Sequence, residues 1–149
     1  MRATALGIAI AVVIMACAGP QRSRDKRREM LDAMDLRLSE IRQWRHERGM
    51  GIAPTSADLI AAYNESVRQA KNVCPENHLV PKSCRDICIL AGDICDNAEA
   101  ICAIADELGK DDKEGQDRCA SAKASCHEAQ QRCCDCSAAD ANAPKEPAP

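Results

Sequence analysis

Apolar residues recur at helical spacing in four stretches of the chain, and turn-forming residues separate these stretches. The first, residues 22–48, is rich in charge and carries one apolar face, formed by Leu31, Met34, Leu38, Ile41 and Trp44. Steps of three and four residues are typical of an amphipathic helix. Gly49 and Gly51 follow the stretch and predict the end of this helix.

The second predicted helix spans residues 57–74. Thr55 with Asp58 three positions later fits a capping box. In this motif the side chain of each residue accepts a hydrogen bond from the backbone N–H of the other at the start of a helix. The apolar face of this helix is formed by Leu59, Tyr63, Val67, Ala70 and Val73. Residues 74–82 contain two prolines, which forbid a continuous helix, and are predicted to form a loop.

Two further helices are predicted, over residues 84–108 and 113–136. Ser83 with Asp86 fits a capping box at the start of the first, and the polar sequence LGKDDKEG predicts the turn between them. Residues 137–149 contain three prolines and no apolar pattern, so we expect this tail to be disordered.

Cysteine recurs every seven residues in both of these helices. The positions are Cys88, Cys95 and Cys102 in the first helix and Cys119, Cys126 and Cys133 in the second. Three residues after each of them stands an alanine or, once, a cysteine. Disulfides need Cα atoms roughly 4.4–6.8 Å apart, whereas ordinary helix axes lie about 8–10 Å apart. Seams of small residues would allow the close approach that bridges require.

The residue numbers also predict which cysteines pair. In an antiparallel hairpin, facing residues have a constant sum of residue numbers, and three cysteine pairs share the sum 221, which places the turn inside LGKDDKEG. These pairs are Cys102–Cys119, Cys95–Cys126 and Cys88–Cys133. By the same rule Cys84 lies nearest Cys136, which leaves Cys74 for Cys134, although these last two pairs could be exchanged.

A second apolar face runs along the helix over residues 84–108. It is formed by Ile87, Leu90, Ile94, Ile101, Ile104 and Leu108. Its simplest partner is the apolar face of the two N-terminal helices; the alternative is that this stripe, or the long first helix, binds another chain. The expected fold is all-α, a small bundle of about four helices over residues 22–136 with a disulfide-stapled antiparallel C-terminal hairpin. The chain has no Phe, one Trp and one Tyr, so we expect the disulfides to stabilise the fold in place of an aromatic core.

The N-terminus has the pattern of an export signal. Arg2 precedes an apolar run over residues 5–16, which is too short to span a bilayer well. The sequence Ile14-Met15-Ala16-Cys17 resembles the lipobox of bacterial lipoproteins. The resemblance implies removal of a signal peptide, residues 1–16, and acylation of Cys17, for example with palmitate. Residues 17–21 would then be a short tether, and Ala18 in place of Asp favours the outer membrane. The alternatives are an ordinary signal peptide with an incidental cysteine, or an uncleaved anchor.

Charge is distributed unevenly along the chain. Residues 22–48 hold nine Lys or Arg against six Asp or Glu, whereas residues 74–149 hold eight against fifteen. The basic residues 22–28 either rest on anionic lipid head groups or form a solvated helical turn. An exported, acidic protein is not expected to bind nucleic acid. The ten cysteines other than Cys17 are an even number, as expected for a disulfide framework in an oxidising compartment.

Residues 84–136 carry a family resemblance. The heptads of ICDNAEAICAIAD, the acidic turn and the returning cysteine helix resemble a cysteine-rich helical hairpin in uncharacterised lipoproteins and secreted proteins of myxobacteria and their relatives. The resemblance covers 53 of 149 residues and implies a fold and a compartment, but no activity.

Cysteine-lined helices also suggest metal binding. Copper storage proteins resemble this chain in having CxxxC pairs, as at Cys84 and Cys88, but residues 18–73 contain no cysteine and offer no thiolate ligand. Zinc-ligand spacing is absent, so we expect no metal and no cofactor. Cys133, Cys134 and Cys136 are expected to be three bridge ends. His46, His78 and His127 follow no ligand motif and are expected to be solvated or hydrogen-bonded.

These observations together predict a function class. The sequence contains no nucleophile elbow, phosphate loop or zinc protease motif, so we expect no catalytic residue and no enzymatic activity. We expect a lipid-anchored cell-envelope protein at the outer membrane, facing the periplasm or the cell surface. It would act as a structural or protein-binding module with an envelope protein as its partner. The alternative is a periplasmic thiol-based protein that binds or stores copper.

Overall fold

The computed structural model describes residues 19–75 and 78–141, and their regular secondary structure is entirely helical. The helices are α1 (Gly19–Glu47), α2 (Ser56–Tyr63), α3 (Val67–Lys71), α4 (Arg85–Leu108) and α5 (Lys113–Ala141), with a 3₁₀ turn (Lys82–Cys84) before α4. The predicted all-α bundle with a disulfide-stapled hairpin is confirmed. The predicted signal peptide and Cys17 lie outside the described residues, as do residues 142–149 of the predicted tail.

The chain divides into two compact units, Met1–Ala33 and Met34–Pro149. In the first unit, the described residues form the beginning of α1, where the side chains of residues 21–29 are exposed. The second unit contains the remainder of α1 and the four later helices. Among the described helices, none combines the length and the apolar character that a membrane span requires.

Helices α4 and α5 form the hairpin, and the turn between them falls where the residue numbers predicted. Gly109 ends α4 with a positive φ of 99°, a conformation that favours glycine. The Gln116 amide then donates to the carbonyl oxygens of Ala105 and Gly109, at 3.2 and 3.3 Å. These bonds hold the first turn of α5 against the last turn of α4.

Small residues allow the two helices of the hairpin to lie close together. On α4, Ala91, Ala98 and Ala105 are at most 1% exposed, and Ala122 and Ala129 of α5 are buried opposite the same seam. The three heptad bridges join Cα atoms only 4.6–4.8 Å apart. A larger side chain at a seam position would separate the backbones that the bridges hold together.

Ala98→Leu is therefore expected to lower the free energy of unfolding by about 1–3 kcal/mol through overpacking. The matched control is Ala103→Leu, on an exposed position of the same helix, which should change stability by no more than about 0.5 kcal/mol. Urea unfolding with the disulfides intact measures both variants. Equal effects of the two substitutions would show that the seam has room for a larger residue.

The second apolar face of α4 is buried at its centre, whereas Ile87, Leu90, Ile104 and Leu108 are partly exposed. Its centre, Ile94 and Ile101, is fully buried, as are Met34 and Ile41 on the predicted face of α1. The Arg37 guanidinium donates to the Asn97 side-chain oxygen at 3.1 Å, which fixes α1 beside α4. Arg118 of α5 donates twice to the Asp35 carboxylate, at 2.8 Å each, and fixes α1 beside α5 as well. The part of α1 in the second unit thus supplies one of the two N-terminal partners that the sequence predicted for this face.

The predicted helix over residues 57–74 is in fact two helices, α2 and α3. The Thr55–Asp58 capping box forms as predicted, but Ser66 and Gln69 form a second box that starts α3. The chain turns between these two helices. The buried residues are Ala62 in α2 and Ala70 in α3. The predicted face was wrong at one position, because the Tyr63 side chain is 51% exposed and its hydroxyl donates to the Asp117 carboxylate.

Two other predictions at helix ends were wrong. Ser83 does not cap α4, because the 3₁₀ turn already places Cys84 in helical conformation and no side chain caps the helix. Residues 137–141 are helical rather than disordered, since α5 continues to Ala141. The Ser137 hydroxyl donates to the Cys133 carbonyl oxygen at 3.0 Å, and alanine, which occurs three times in these residues, is the strongest helix former.

Candidate functional site

Ten cysteines are joined in five disulfides. The pairs are Cys74–Cys134, Cys84–Cys136, Cys88–Cys133, Cys95–Cys126 and Cys102–Cys119. The three pairs predicted from the residue-number sum are present. The remaining four cysteines adopt the first of the two arrangements that the sequence allowed.

The bridges differ in their access to solvent. Cys95 and Cys126 are completely buried at the centre of the hairpin, and Cys102 and Cys119 are buried nearer the turn. At the opposite end, Cys74 and Cys134 are both partly exposed. In the Cys88–Cys133 bridge, Cys88 is partly exposed and Cys133 is buried. Access to a soluble thiol therefore increases from the centre of the hairpin to its open end.

Three bridges meet at this open end because α5 carries Cys133, Cys134 and Cys136 within four residues. Successive helical residues point about 100° apart. Cys133 consequently faces α4, whereas Cys134 faces the loop that contains Cys74. Cys136 returns toward the start of α4 and reaches Cys84. The helix periodicity thus distributes three neighbouring sulfurs to three different partners.

His78 lies at this group of sulfurs. Its Nε2 is 3.8 Å from Cys133 Sγ, and the ligand atoms of Cys74, His78 and Cys133 all lie within 4.8 Å of one another. We call these three residues the sulfur–imidazole cluster. The sequence predicted a hydrogen-bonded or solvated His78 and did not associate it with any cysteine. Its position four residues after Cys74 was the only local signal.

The oxidised cluster has little ligand capacity. Each of its sulfurs is already bonded to a second sulfur, and the thiolate is the form that binds metals. The Cys74 and Cys133 sulfurs are therefore structural in this state, and the His78 imidazole is the remaining donor of the cluster.

A separate cleft, lined by both polar and apolar groups, lies between α2, the α2–α3 connection, α3 and α5. It has a volume of about 480 Å³ and is lined by Asp58, Ala61, Asn64, Glu65, Gln69, Ala124, His127, Glu128 and Gln131. His127 Nδ1 lies 3.0 Å from the Glu65 carboxylate, so the sequence prediction of a hydrogen-bonded histidine is confirmed. Carboxylates, amides and an imidazole suit the binding of polar or cationic groups.

Several polar groups around the cleft are already engaged in structure. Hydrogen bonds from Thr55 hold the pKa of Asp58 below its usual value, because that carboxylate caps α2. Burial lowers the pKa of Lys123, whose ammonium donates to the Glu65 carbonyl oxygen at 2.6 Å. The Glu128 carboxylate accepts from the buried Arg45 guanidinium at 2.7 Å. The contacts around the cleft thus fasten the bundle together and include no nucleophile paired with a base.

Comparison of the chain with known protein families, with curated proteins and with solved structures finds no match. Its function must be inferred from its own residues.

Proposed function

We propose that this chain is a lipid-anchored cell-envelope protein that acts as a rigid, non-enzymatic binding or structural module. The observation that carries the proposal is the use of its eleven cysteines. Ten form bridges, which persist in oxidising compartments outside the cytosol. The eleventh, Cys17, follows the apolar run and stands at the lipobox-like sequence.

The beginning of α1 suits a position beside a membrane. This helix starts at Gly19, two residues after Cys17, and its basic residues Arg22, Arg24 and Lys26 are exposed. Basic side chains near an anionic surface contribute roughly 1 kcal/mol each, and stable anchoring needs more than one acyl chain or a basic patch as well. Lipid on Cys17 together with this segment would meet that requirement. Ala18 favours the outer membrane as the destination.

The cleft and the bridges support a binding role over catalysis. Staples across the hairpin keep α5 fixed, and α5 forms one wall of the cleft. A preformed surface loses little conformational freedom when a partner binds. The partner we expect is another envelope protein.

Cys17→Ser is expected to abolish incorporation of labelled palmitate and to release the protein from membranes into the soluble fraction. The physical reason is that the Cys17 sulfur and its new amino group would be the acylation sites. A double variant, Cys74→Ala with Cys134→Ala, is the matched control, because it removes cysteines without touching the lipobox and should keep the label. Labelling that persists in Cys17→Ser would refute the anchor.

Copper storage by thiolates is the second candidate, and the observation in its favour is His78 beside Cys133. A thiol count on the purified, denatured protein distinguishes the two functions. Almost no free thiol supports the bridged module, whereas many thiols with copper bound to the purified protein support storage.

A further inference from the structure

We propose that the sulfur–imidazole cluster is a reduction-gated site for one thiophilic metal ion, held by Cys74, His78 and Cys133. In the oxidised protein the site is closed, because both sulfurs are in disulfides. When these two bridges are opened, two thiolates and one imidazole become available from ligand atoms that lie within 4.8 Å of one another in the oxidised protein. This site is independent of the lipid anchor and differs from multi-ion storage in taking a single ion.

The geometry of the cluster fits such an ion. Zinc lies about 2.3 Å from thiolate sulfur and about 2.0–2.1 Å from imidazole nitrogen. A thiolate sulfur and an imidazole nitrogen bound to the same ion are therefore about 3.6–3.8 Å apart when the angle between them at the ion is tetrahedral to trigonal. The observed distance from Cys133 Sγ to His78 Nε2 is 3.8 Å. Cys74 lies in the segment between α3 and the 3₁₀ turn, outside any helix, so a small shift of that segment can bring its sulfur to the ion.

Access to solvent determines which bridges open. Thiol–disulfide exchange requires the attacking thiolate to reach a sulfur. Both residues of the Cys74–Cys134 bridge are partly exposed. In the Cys88–Cys133 bridge, Cys88 is partly exposed and can be attacked. The Cys95–Cys126 and Cys102–Cys119 bridges are buried. Cys136 of the Cys84–Cys136 bridge is partly exposed as well. A soluble reductant is therefore expected to open the two bridges of the cluster and Cys84–Cys136 before it opens the centre of the hairpin.

A dithiol can reduce these two disulfides. For each bridge, one dithiol transfers two electrons and two protons, its own sulfurs join in a disulfide, and two cysteine thiols form. Opening both bridges therefore consumes two dithiols and yields the thiols of Cys74, Cys134, Cys88 and Cys133. Binding of the ion then displaces the protons of Cys74 and Cys133 to solvent, since thiolates are the ligands.

The donor set selects the class of ion. Two thiolates with one imidazole suit Zn²⁺ and Cu⁺, and do not suit hard ions such as Mg²⁺ or Ca²⁺, which take oxygen ligands. Cys133 is buried, while Cys74 and His78 are partly exposed, so the ion would have protein on one side and a path of entry on the other. The buried bridges retain the hairpin while the cluster is open.

The test begins with limited reduction of the folded, full-length protein by a dithiol, which is then removed, followed by peptide mapping to identify the open bridges. The sample is then titrated anaerobically with Zn²⁺, with Co²⁺ as its spectroscopic probe, and in a separate arm with Cu⁺. We expect one ion per chain and thiolate-to-metal charge transfer in the reduced protein. We expect neither signal in the oxidised protein.

Variants assign the ligands. His78→Ala removes a direct ligand and should weaken binding by at least the roughly tenfold to hundredfold that loss of an outer-shell partner costs. Cys74→Ser with Cys134→Ser should weaken the charge-transfer band, because Cys133 is then the one thiolate left in the ligand set. The matched control is Cys84→Ser with Cys136→Ser, which deletes a neighbouring bridge that contributes no ligand and should bind the ion normally. Helical circular dichroism confirms that each variant is folded. Absence of binding after reduction, a new Cys74–Cys133 disulfide in place of metal, or equal affinity in all three variants would overturn the proposal.

Discussion

Glu128→Ala is expected to lower the free energy of unfolding by about 3 kcal/mol, because it leaves a buried cation without its carboxylate. The Arg45 side chain is 1% exposed, while Glu128 is 32% exposed, so the expected loss is at the lower end for a buried pair. Arg45 Nε also donates to the Gly51 carbonyl oxygen at 2.9 Å, but Nη1 has no partner among the described residues. Without Glu128, a second nitrogen of this guanidinium would lose its acceptor.

Urea unfolding with intact disulfides measures this loss. The informative comparison is the double variant Arg45→Met with Glu128→Ala, which removes the buried charge along with its partner and should be more stable than Glu128→Ala alone. Glu99→Ala is the exposed control, since its ion pair with Lys71 lies at the surface and should contribute at most about 1 kcal/mol. If the double variant were as unstable as Glu128→Ala, the uncompensated charge would not be the cause.

Complete reduction and alkylation of all five bridges is expected to abolish cooperative unfolding and most of the helical signal. The Cys102–Cys119 bridge closes a loop of 17 residues, which corresponds to about 3 kcal/mol in the chain-entropy model. Native domains are stable by only about 5–15 kcal/mol in total. The seam between α4 and α5 contains only cysteine and alanine, so little apolar burial remains there when the bridges are cut.

Thermal unfolding followed by circular dichroism measures this second effect. Protein exposed to the same denaturant and alkylating agent without reductant is the control and should remain helical, because its bridges stay closed. A fully reduced chain that still melted cooperatively near the temperature of the control would show that packing alone sustains the bundle. This experiment opens every bridge, whereas the metal test leaves the buried bridges Cys95–Cys126 and Cys102–Cys119 closed.

Much of the hairpin was predictable because it depends on the repeat of cysteines within each helix and on the short reach of a disulfide bond. A seven-residue step places Cys88, Cys95 and Cys102 on one face of a helix, and disulfide geometry permits a partner only directly opposite. The pairing of Cys74 and Cys84 is left open by the residue-number rule, which loses force where the hairpin ends. The prediction for Tyr63 was wrong because a capping box at Ser66 divides the predicted helix over residues 57–74 into two helices.

The amino-acid sequence by itself determined the helical class, the turn near residue 110 and the ladder of three heptad bridges. These follow from the period of the helix and the short reach of a disulfide, which need no knowledge of distant contacts. Only the tertiary structure decided that Arg45 meets Glu128, 83 residues away, and that His78 lies at Cys133, 55 residues away. Such contacts depend on how separate helices and loops pack in space, and no periodic pattern within one segment encodes that arrangement.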